Sequence, residues 1–253
     1  SLDAKSGSEI WVFDPFQNDI KYFDNNDTSL NVCRGITYFE DILDNSYIFY
    51  GVSSKLFKVN SKNGEPDLSF GDNGFIDLHN GLGENSSSLF VSMTSPGVIF
   101  DNLIIVGSSV SEGNPAAKGN IRAFDANNGD LVWIFNTIPE IGEDGYETYE
   151  DPNAYKRLGG ANAWAGLTLD EKRGIVYDPT GSISYDFYGG DRVGDNLFAN
   201  SIIALDASNG EKLWHFQTVH HDVWDRDLPS PPILFDYTYK DSIIPSLAQV
   251  TKS

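Results

Sequence analysis

Residues 205–217 read LDASNGEKLWHFQ, Leu205 through Gln217. An apolar residue and Asp206 end one extended run, Asn209-Gly210 makes a tight turn, and a second run follows with Trp214 inside it. Glycine supplies the positive φ that such a turn demands. Three more stretches carry the same pattern: LDAKSGSEIWVFD at 2–14, VNSKNGEPDLSFG at 59–71 and FDANNGDLVWIFN at 124–136. The Asp–Gly–Trp spacing is identical in three of the four, while the second has Asn60 and Phe70 instead. The Asp/Asn positions 3, 60, 125 and 206 lie 57, 65 and 81 residues apart, so inserted loops separate the repeated units. Repeated short antiparallel strands with a large aromatic at a fixed place predict an all-β fold of the β-propeller kind. No long stretch shows the 3.6-residue period of a helix.

The composition agrees with a folded chain. Its 253 residues are enough for one large domain, and 40% are apolar and 13% aromatic. The formal net charge of −20 excludes nucleic acid and anionic membrane surfaces as expected partners, since both require a basic footprint. The single cysteine, Cys33, allows no internal disulfide. No apolar run reaches the ~20 residues that span a bilayer, and no leader peptide opens the chain. The first residues read as the middle of a repeat and Gln249–Ser253 as part of a strand, so the expectation is a single domain, 1–253, truncated at both ends.

Between the repeats, Val98–Val106 is broken by Asp101-Asn102 and reads as a hairpin. Strands are predicted at Gly174–Tyr177 and Ala199–Leu205, and after the arginine of Cys33-Arg34-Gly35. Residues 137–160, rich in Pro, Gly, Glu, Asp and Tyr, read as one long insertion.

Chemistry concentrates at 214–229, WHFQTVHHDVWDRDLP. Two tryptophans (Trp214, Trp224), two histidines (His220, His221) and three aspartates (Asp222, Asp225, Asp227) share sixteen residues. A solvated loop has no use for the tryptophans and a core strand none for the aspartates. The combination predicts a strand end turning into an acidic site with an aromatic floor. Adjacent histidines on extended chain point to opposite faces, which argues against joint metal ligation.

The strings GGANAWAG (159–166), IVYDPTGSISYDFYGGDR (175–192) and WHFQTVHHDVWDRDLP together resemble the quinoprotein dehydrogenases, and most closely their glucose, glycerol and quinate group. The Asp…Gly…Trp repeats are similar to that family's blade-docking motif. The resemblance implies an eight-bladed propeller of which roughly four blades, about half the ring, are present, in a family whose members are about twice this length. It implies binding of pyrroloquinoline quinone (PQQ) and of a divalent cation, Ca²⁺ or Mg²⁺, with a lanthanide left open. It further implies oxidation of a sugar, polyol or other alcohol in the periplasm, with a quinone or cytochrome as electron acceptor. Any membrane attachment would lie in segments outside this chain.

Site residues follow from the same resemblance. Asp225 falls at the catalytic base. Arg34, Thr94, Ser109, Trp164 and Lys252 form the expected cofactor-contacting set, with Trp164 stacking on the cofactor plane and Arg34 and Lys252 at its quinone oxygens. Glu112, Asp225, Ser182 and Asp227 form the expected metal set. The chemistry is coherent: a carboxylate accepts the alcohol proton, cations stabilise charge on the quinone oxygen, and oxygen donors hold a hard cation. The sequence departs from the family pattern at three places. Cys33 stands alone where the alcohol-oxidising branch has a cysteine pair, Ser182 replaces a ligating asparagine, and Leu30 replaces the glucose branch's histidine.

Each residue also has a plainer reading. Asp225 fits a turn cap before Leu228-Pro229, Trp164 fits packing between blades, and Glu112, Arg34 and Lys252 fit solvated charges. The competing function is a non-catalytic propeller scaffold of the outer-membrane assembly kind. Such a scaffold has no need of the HHDxWD string, of Arg34 at a strand mouth or of Lys252.

Overall fold

The computed structural model of the chain describes residues 1–16, 32–83 and 85–253; Leu30 lies outside the described residues. Three four-stranded antiparallel sheets follow one another along the chain. The first contains β1 (Thr37–Glu40), β2 (Ser46–Val52), β3 (Lys55–Asn60) and β4 (Phe75–Asp77) in simple order. Next comes β5 (Val91–Ser92), then the hairpin β6 (Val98–Phe100) and β7 (Leu103–Val106), then β8 (Ser109–Val110), β9 (Ile121–Asp125) and β10 (Leu131–Phe135). The second sheet runs β10-β9-β7-β6, and β5 pairs separately with β8. The third comprises β11 (Thr168–Asp170), β12 (Ile175–Pro179), β13 (Ser201–Asp206) and β14 (Lys212–Gln217), again in order. A last hairpin joins β15 (Ile233–Tyr239) to β16 (Ser242–Ala248). The expected four blades are thus distributed as three complete sheets with parts of a unit on either side. Residues 249–253, expected in a strand, follow the end of β16 as irregular chain.

The period of two explains how the sheets stack. In β7, Ile104 and Val106 join Phe124 in the core shared with Phe49 and Leu56 of the first sheet. Ile105 points the other way, with Ile121, Ala123 and Trp133, into a core shared with Val176, Ile203 and Leu205 of the third. The second sheet is buried on both faces, which is why Leu103–Val106 is an unbroken apolar run. The hairpin turn at Asp101 has φ 50, where the sequence places Asp101-Asn102.

The repeats supply the joints between units. Trp11 packs on Gly64, where a Cβ would stand 2.4 Å from the indole, and donates its ring N–H to Ser61 O at 3.0 Å. Trp133 does the same with Gly210 and Ala207 O, at 2.5 Å and 3.2 Å. The two pairs are equivalent by repeat position, so the aromatic of one repeat reads the turn of a later one. The second repeat is an exception. Phe70 is buried in the core, and Gly129 is met by the main chain of Gly71, whose N–H donates to Asn128 O at 2.8 Å. Trp214, the aromatic of the fourth repeat, is 39% exposed beside Tyr177, in the cleft between the third sheet and the β15–β16 hairpin.

The insertion at 137–160 carries a single 3-10 turn, Tyr146–Thr148, and one α-helical turn, Ala154–Arg157. Its apolar residues Ile138, Tyr149, Ala154 and Leu158 form a small core with Ala161, Ile183 and Ala199.

Candidate active site

The site lies where β8, the segment after the insertion, the chain leaving β12 and the chain leaving β14 converge. A cavity of about 250 Å³ is lined by Ser109, Val110, Ser111, Glu112, Asn162, Trp164, Ser182, Ser184, Asp186, Asp225, Asp227 and Lys252. Seven of the nine residues expected to bind cofactor or metal are among them. The other two stand just behind. Thr94 donates its hydroxyl to Trp164 O at 3.1 Å, and Arg34 holds its guanidinium 5.3 Å from the centre of the Trp164 ring. The Arg34 main-chain N–H donates to Thr94 O at 3.0 Å, which ties the strand mouth to this wall.

Trp164 is fixed at its edge. Its indole N–H donates to Asp227 Oδ2 at 2.8 Å, and Ser182 N–H donates to Asp227 Oδ1 at 2.7 Å. Asp227 comes this close only because residue 181 is glycine; a Cβ there would stand 2.6 Å from Asp227 Oδ1. Burial raises the Asp227 carboxyl above its ordinary range despite these two donors, and the neighbouring Asp225 charge pushes the same way.

Asp225 sits at φ 53 in a turn built by Asp222. The buried Asp222 carboxylate accepts from Trp224 N–H at 3.0 Å, Arg226 N–H at 2.6 Å, Ser182 Oγ at 2.7 Å and Asn200 Nδ2 at 3.2 Å. Lys252 Nζ donates to Asp225 O at 2.8 Å and to Asp225 Oδ2 at 3.0 Å. Asp225 and Lys252, 27 residues apart in sequence, are therefore in direct contact, and Asp225 Oδ1 accepts no hydrogen bond among the described residues.

The acidic stretch behaves differently from the sequence expectation in two respects. Its tryptophans make no floor: Trp224 is 72% exposed, and the aromatic wall is Trp164, from another segment. The histidines are not on extended chain either. His221 has φ 48 and its Nδ1 lies 2.8 Å from Gly194 O, while His220 faces Asp195 at 3.6 Å. Both brace the 194–195 loop, and neither lines the cavity.

Ser182 reaches the cavity, but its hydroxyl is engaged, donating to Asp222 and accepting from Asn200 Nδ2 at 3.0 Å. Sequence reasoning missed Asp186, four residues further on in the quoted string. It also missed the buried Arg192, which donates to Asn196 Oδ1 at 2.8 Å, to Tyr185 O at 3.1 Å and to Asp222 O. Arg192 thereby joins the Asp186 and Asp222 segments. The signal was an arginine among loop aspartates in a chain short of cations.

The fold is part of a β-propeller, with this small polar cavity at its strand mouths. The chain belongs to the family described as PQQ, glucose/ethanol/alcohol dehydrogenase, beta-propeller domain, which it matches over residues 1–253. It is 32% identical over 281 residues to quinoprotein glucose dehydrogenase A of Acinetobacter calcoaceticus, covering 100% of this chain and 33% of that protein. It is 34% identical over 280 residues to the quinate/shikimate dehydrogenase (quinone) of Acinetobacter baylyi, covering 100% and 33%. Among solved structures, the quinohemoprotein alcohol dehydrogenase of Comamonas testosteroni superposes with a TM-score of 0.78 at 22% identity, over 99% of this chain and 36% of that one. That likeness bears on the fold alone. The chain spans about a third of these relatives' length, so the expectation of a family member only twice as long is corrected.

Proposed function

We propose that this chain forms part of a PQQ-dependent dehydrogenase that oxidises a sugar, polyol or other alcohol. One observation carries the reading. Trp164, Glu112, Lys252 and the Asp225/Asp227 pair, named from four separate segments, line a single small cavity.

The residues fit the cofactor by type and placement, and the cation by donor type alone: among the described residues no three carboxylate, histidine or cysteine side chains stand together as an ion site. A flat indole edge-locked by Asp227 offers a rigid wall for a planar ring system. Arg34 and Lys252 are the cations near that wall. Glu112, Asp225 and Asp227 offer the oxygen donors a hard divalent ion takes. PQQ supplies the two-electron acceptor for the substrate's hydride. Asp225 Oδ1 accepts the hydroxyl proton, while Lys252 holds Oδ2 and the Asp225 carbonyl in place. Trp164 positions the cofactor face, and Arg34 and Lys252 stabilise charge at its oxygens. Electrons leave to a quinone or cytochrome in the periplasm.

The test is reconstitution of the full-length protein with PQQ and Ca²⁺, followed by dye reduction with glucose, glycerol, quinate and ethanol. PQQ-dependent reduction with one of them is expected. Absence of reduction with all four, together with no quenching of tryptophan fluorescence by PQQ, sinks this reading in favour of a scaffold.

A further inference from the structure

We propose that Arg122 is a positioning residue for the cavity: through Ser108 it sets the place of the 109–112 wall against which the cofactor lies. The inference rests on the cofactor-binding reading above and adds to it a residue outside the cavity.

Four consecutive residues, Ser109, Val110, Ser111 and Glu112, make one wall of the cavity. Strand pairing holds them only weakly. β8 is two residues long, and its ladder with β5 consists of Val91 opposite Val110 and Ser92 opposite Ser109. The wall is fixed by side chains instead. Ser184 Oγ donates to Ser111 O at 2.6 Å. At the start of the wall stands the buried Ser108, with both of its oxygens engaged. Asn162 Nδ2, from the opposite lining, donates to Ser108 O at 2.9 Å, and Arg122 Nη2 donates to Ser108 Oγ at 3.0 Å.

Arg122 alternates with Ile121 and Ala123 on β9, so it faces the core shared with the first sheet, as Phe124 does. It is fully buried, and among the described residues it bonds no carboxylate. Its Nη1 donates to Leu78 O and, at 3.0 Å, to Asn80 O, in the chain leaving β4, while Nε has no partner. A buried guanidinium without a counter-ion is expensive. Ile104 and Val106, in the same core, join the two sheets without that cost. An apolar residue cannot, however, reach acceptors on both sides at once. The planar fork does, and so ties the first sheet's exit to Ser108.

The tie continues across the site. Asn162 O accepts from Gly181 N–H at 3.1 Å, next to Ser182, whose N–H holds Asp227. The packing leaves no slack: a Cβ at Gly107 would stand 2.1 Å from Ala163 O, and one at Gly119 2.4 Å from Asn162 Cα. A displaced Ser108 therefore moves the wall that begins at the next residue.

The experiment uses the full-length protein. Ser108→Ala removes the link and leaves the arginine's other bonds. Arg122→Met removes the fork and fills its space, and Arg122→Lys keeps the charge without the fork. PQQ affinity, read by quenching of tryptophan fluorescence, is expected to fall about three- to tenfold in each. The double variant Ser108→Ala/Arg122→Met should lose no more than Arg122→Met alone, because both act through one contact. Should Arg122→Met not fold, Arg122→Lys closes the same cycle. A merely structural role lowers the melting temperature and leaves the affinity of the folded fraction unchanged. Hydrogen exchange in the cofactor-free protein adds a readout independent of PQQ: peptides across 107–112 should exchange faster in Ser108→Ala and in the Arg122 variants. Wild-type affinity in Ser108→Ala and Arg122→Lys, additive losses in the double variant, or unchanged exchange overturns the assignment. A wild type that binds no PQQ, with exchange still raised in the variants, keeps the anchored wall and removes the cofactor reading.

Discussion

Trp133 lies against the α-carbon of Gly210, and its indole N–H donates to Ala207 O at 3.2 Å. This contact joins the second and third sheets, and the equivalent contact of Trp11 with Gly64 and Ser61 joins the N-terminal repeat to the first. Gly210 has φ +74 and no space for a Cβ. Gly210→Ala therefore meets backbone strain and overpacking together, at a cost of about 1–3 kcal/mol. Trp133→Ala removes a side chain that is 7% exposed and costs about 3–5 kcal/mol. Thermal unfolding of the full-length protein checks both. An unchanged melting temperature in Gly210→Ala refutes the docking role.

The base assignment makes a sharper demand. Asp225→Asn keeps shape and a carbonyl oxygen toward Lys252, but removes the proton acceptor. Turnover is expected to fall by about 10²–10⁴, the usual scale for losing a general base. PQQ affinity should remain within a few-fold of wild type, since Trp164 and Arg34 are untouched. Retained turnover, or lost PQQ binding at full fold, assigns Asp225 a different part.

The legible features were those encoded locally. The turn glycine and the aromatic four residues later gave the repeat, and the repeat gave the sheets. Ser182, Asp225 and Asp227 were legible because they stood in strings resembling a known family, and Glu112 by its place in the same resemblance. Asp186 and Arg192 stood in the same strings without a marker, because which segments they meet is decided only on folding. The reading of Trp224 as part of an aromatic floor failed for a related reason. Tryptophan-rich sequence indicates buried aromatic surface, but not which segment supplies it; here Trp164 does, held by Asp227 from the acidic stretch. His221 was read on extended chain, whereas Asp195 O and Gly194 O draw its main chain and ring into a left-handed turn.

His79 gives the fold a pH dependence with a definite sign. Its Nδ1 lies 2.6 Å from Asp77 Oδ1 and its Nε2 3.0 Å from Leu89 O. Both neighbours are acceptors, so only the doubly protonated ring satisfies both. The Asp77 hydrogen bond accordingly raises the His79 value above 6.5, against burial. Burial pushes the Asp77 carboxyl up, and the donors of His79 outweigh it, leaving Asp77 below its usual 3.8. The raised histidine contributes fully below about pH 6.5 and loses its contribution as pH rises through its folded value. The depressed aspartate contributes above about pH 4 and loses its share in acid. The pair therefore stabilises most between these limits, by less than about 1 kcal/mol because Asp77 is half exposed. Melting temperatures of wild type and His79→Gln, compared from pH 5 to 9, should differ most near pH 6 and converge toward pH 9. A gap that widens with pH contradicts the assignment.

Asp222 touches no cavity space, yet it determines where Asp225 stands. Its carboxylate closes the 222–226 turn through Arg226 N–H and Trp224 N–H and anchors that turn to Ser182 and Asn200. Asp222→Asn replaces one acceptor oxygen by an NH₂ group facing donors, leaving buried groups unsatisfied at about 1–3 kcal/mol each. Leu228 and the Asp227 bridge to Trp164 hold the far end of the loop, so the variant is expected to fold with a lowered melting temperature. With the turn loosened, Asp225 loses its fixed position, and kcat/KM should drop about 10- to 100-fold. The loss should fall on kcat while PQQ affinity holds, because the aromatic wall does not depend on Asp222. A merely structural role would lower the melting temperature and the active fraction together and leave the kcat of the folded fraction unchanged. Burst titration of active sites in the reconstituted variant separates the two outcomes.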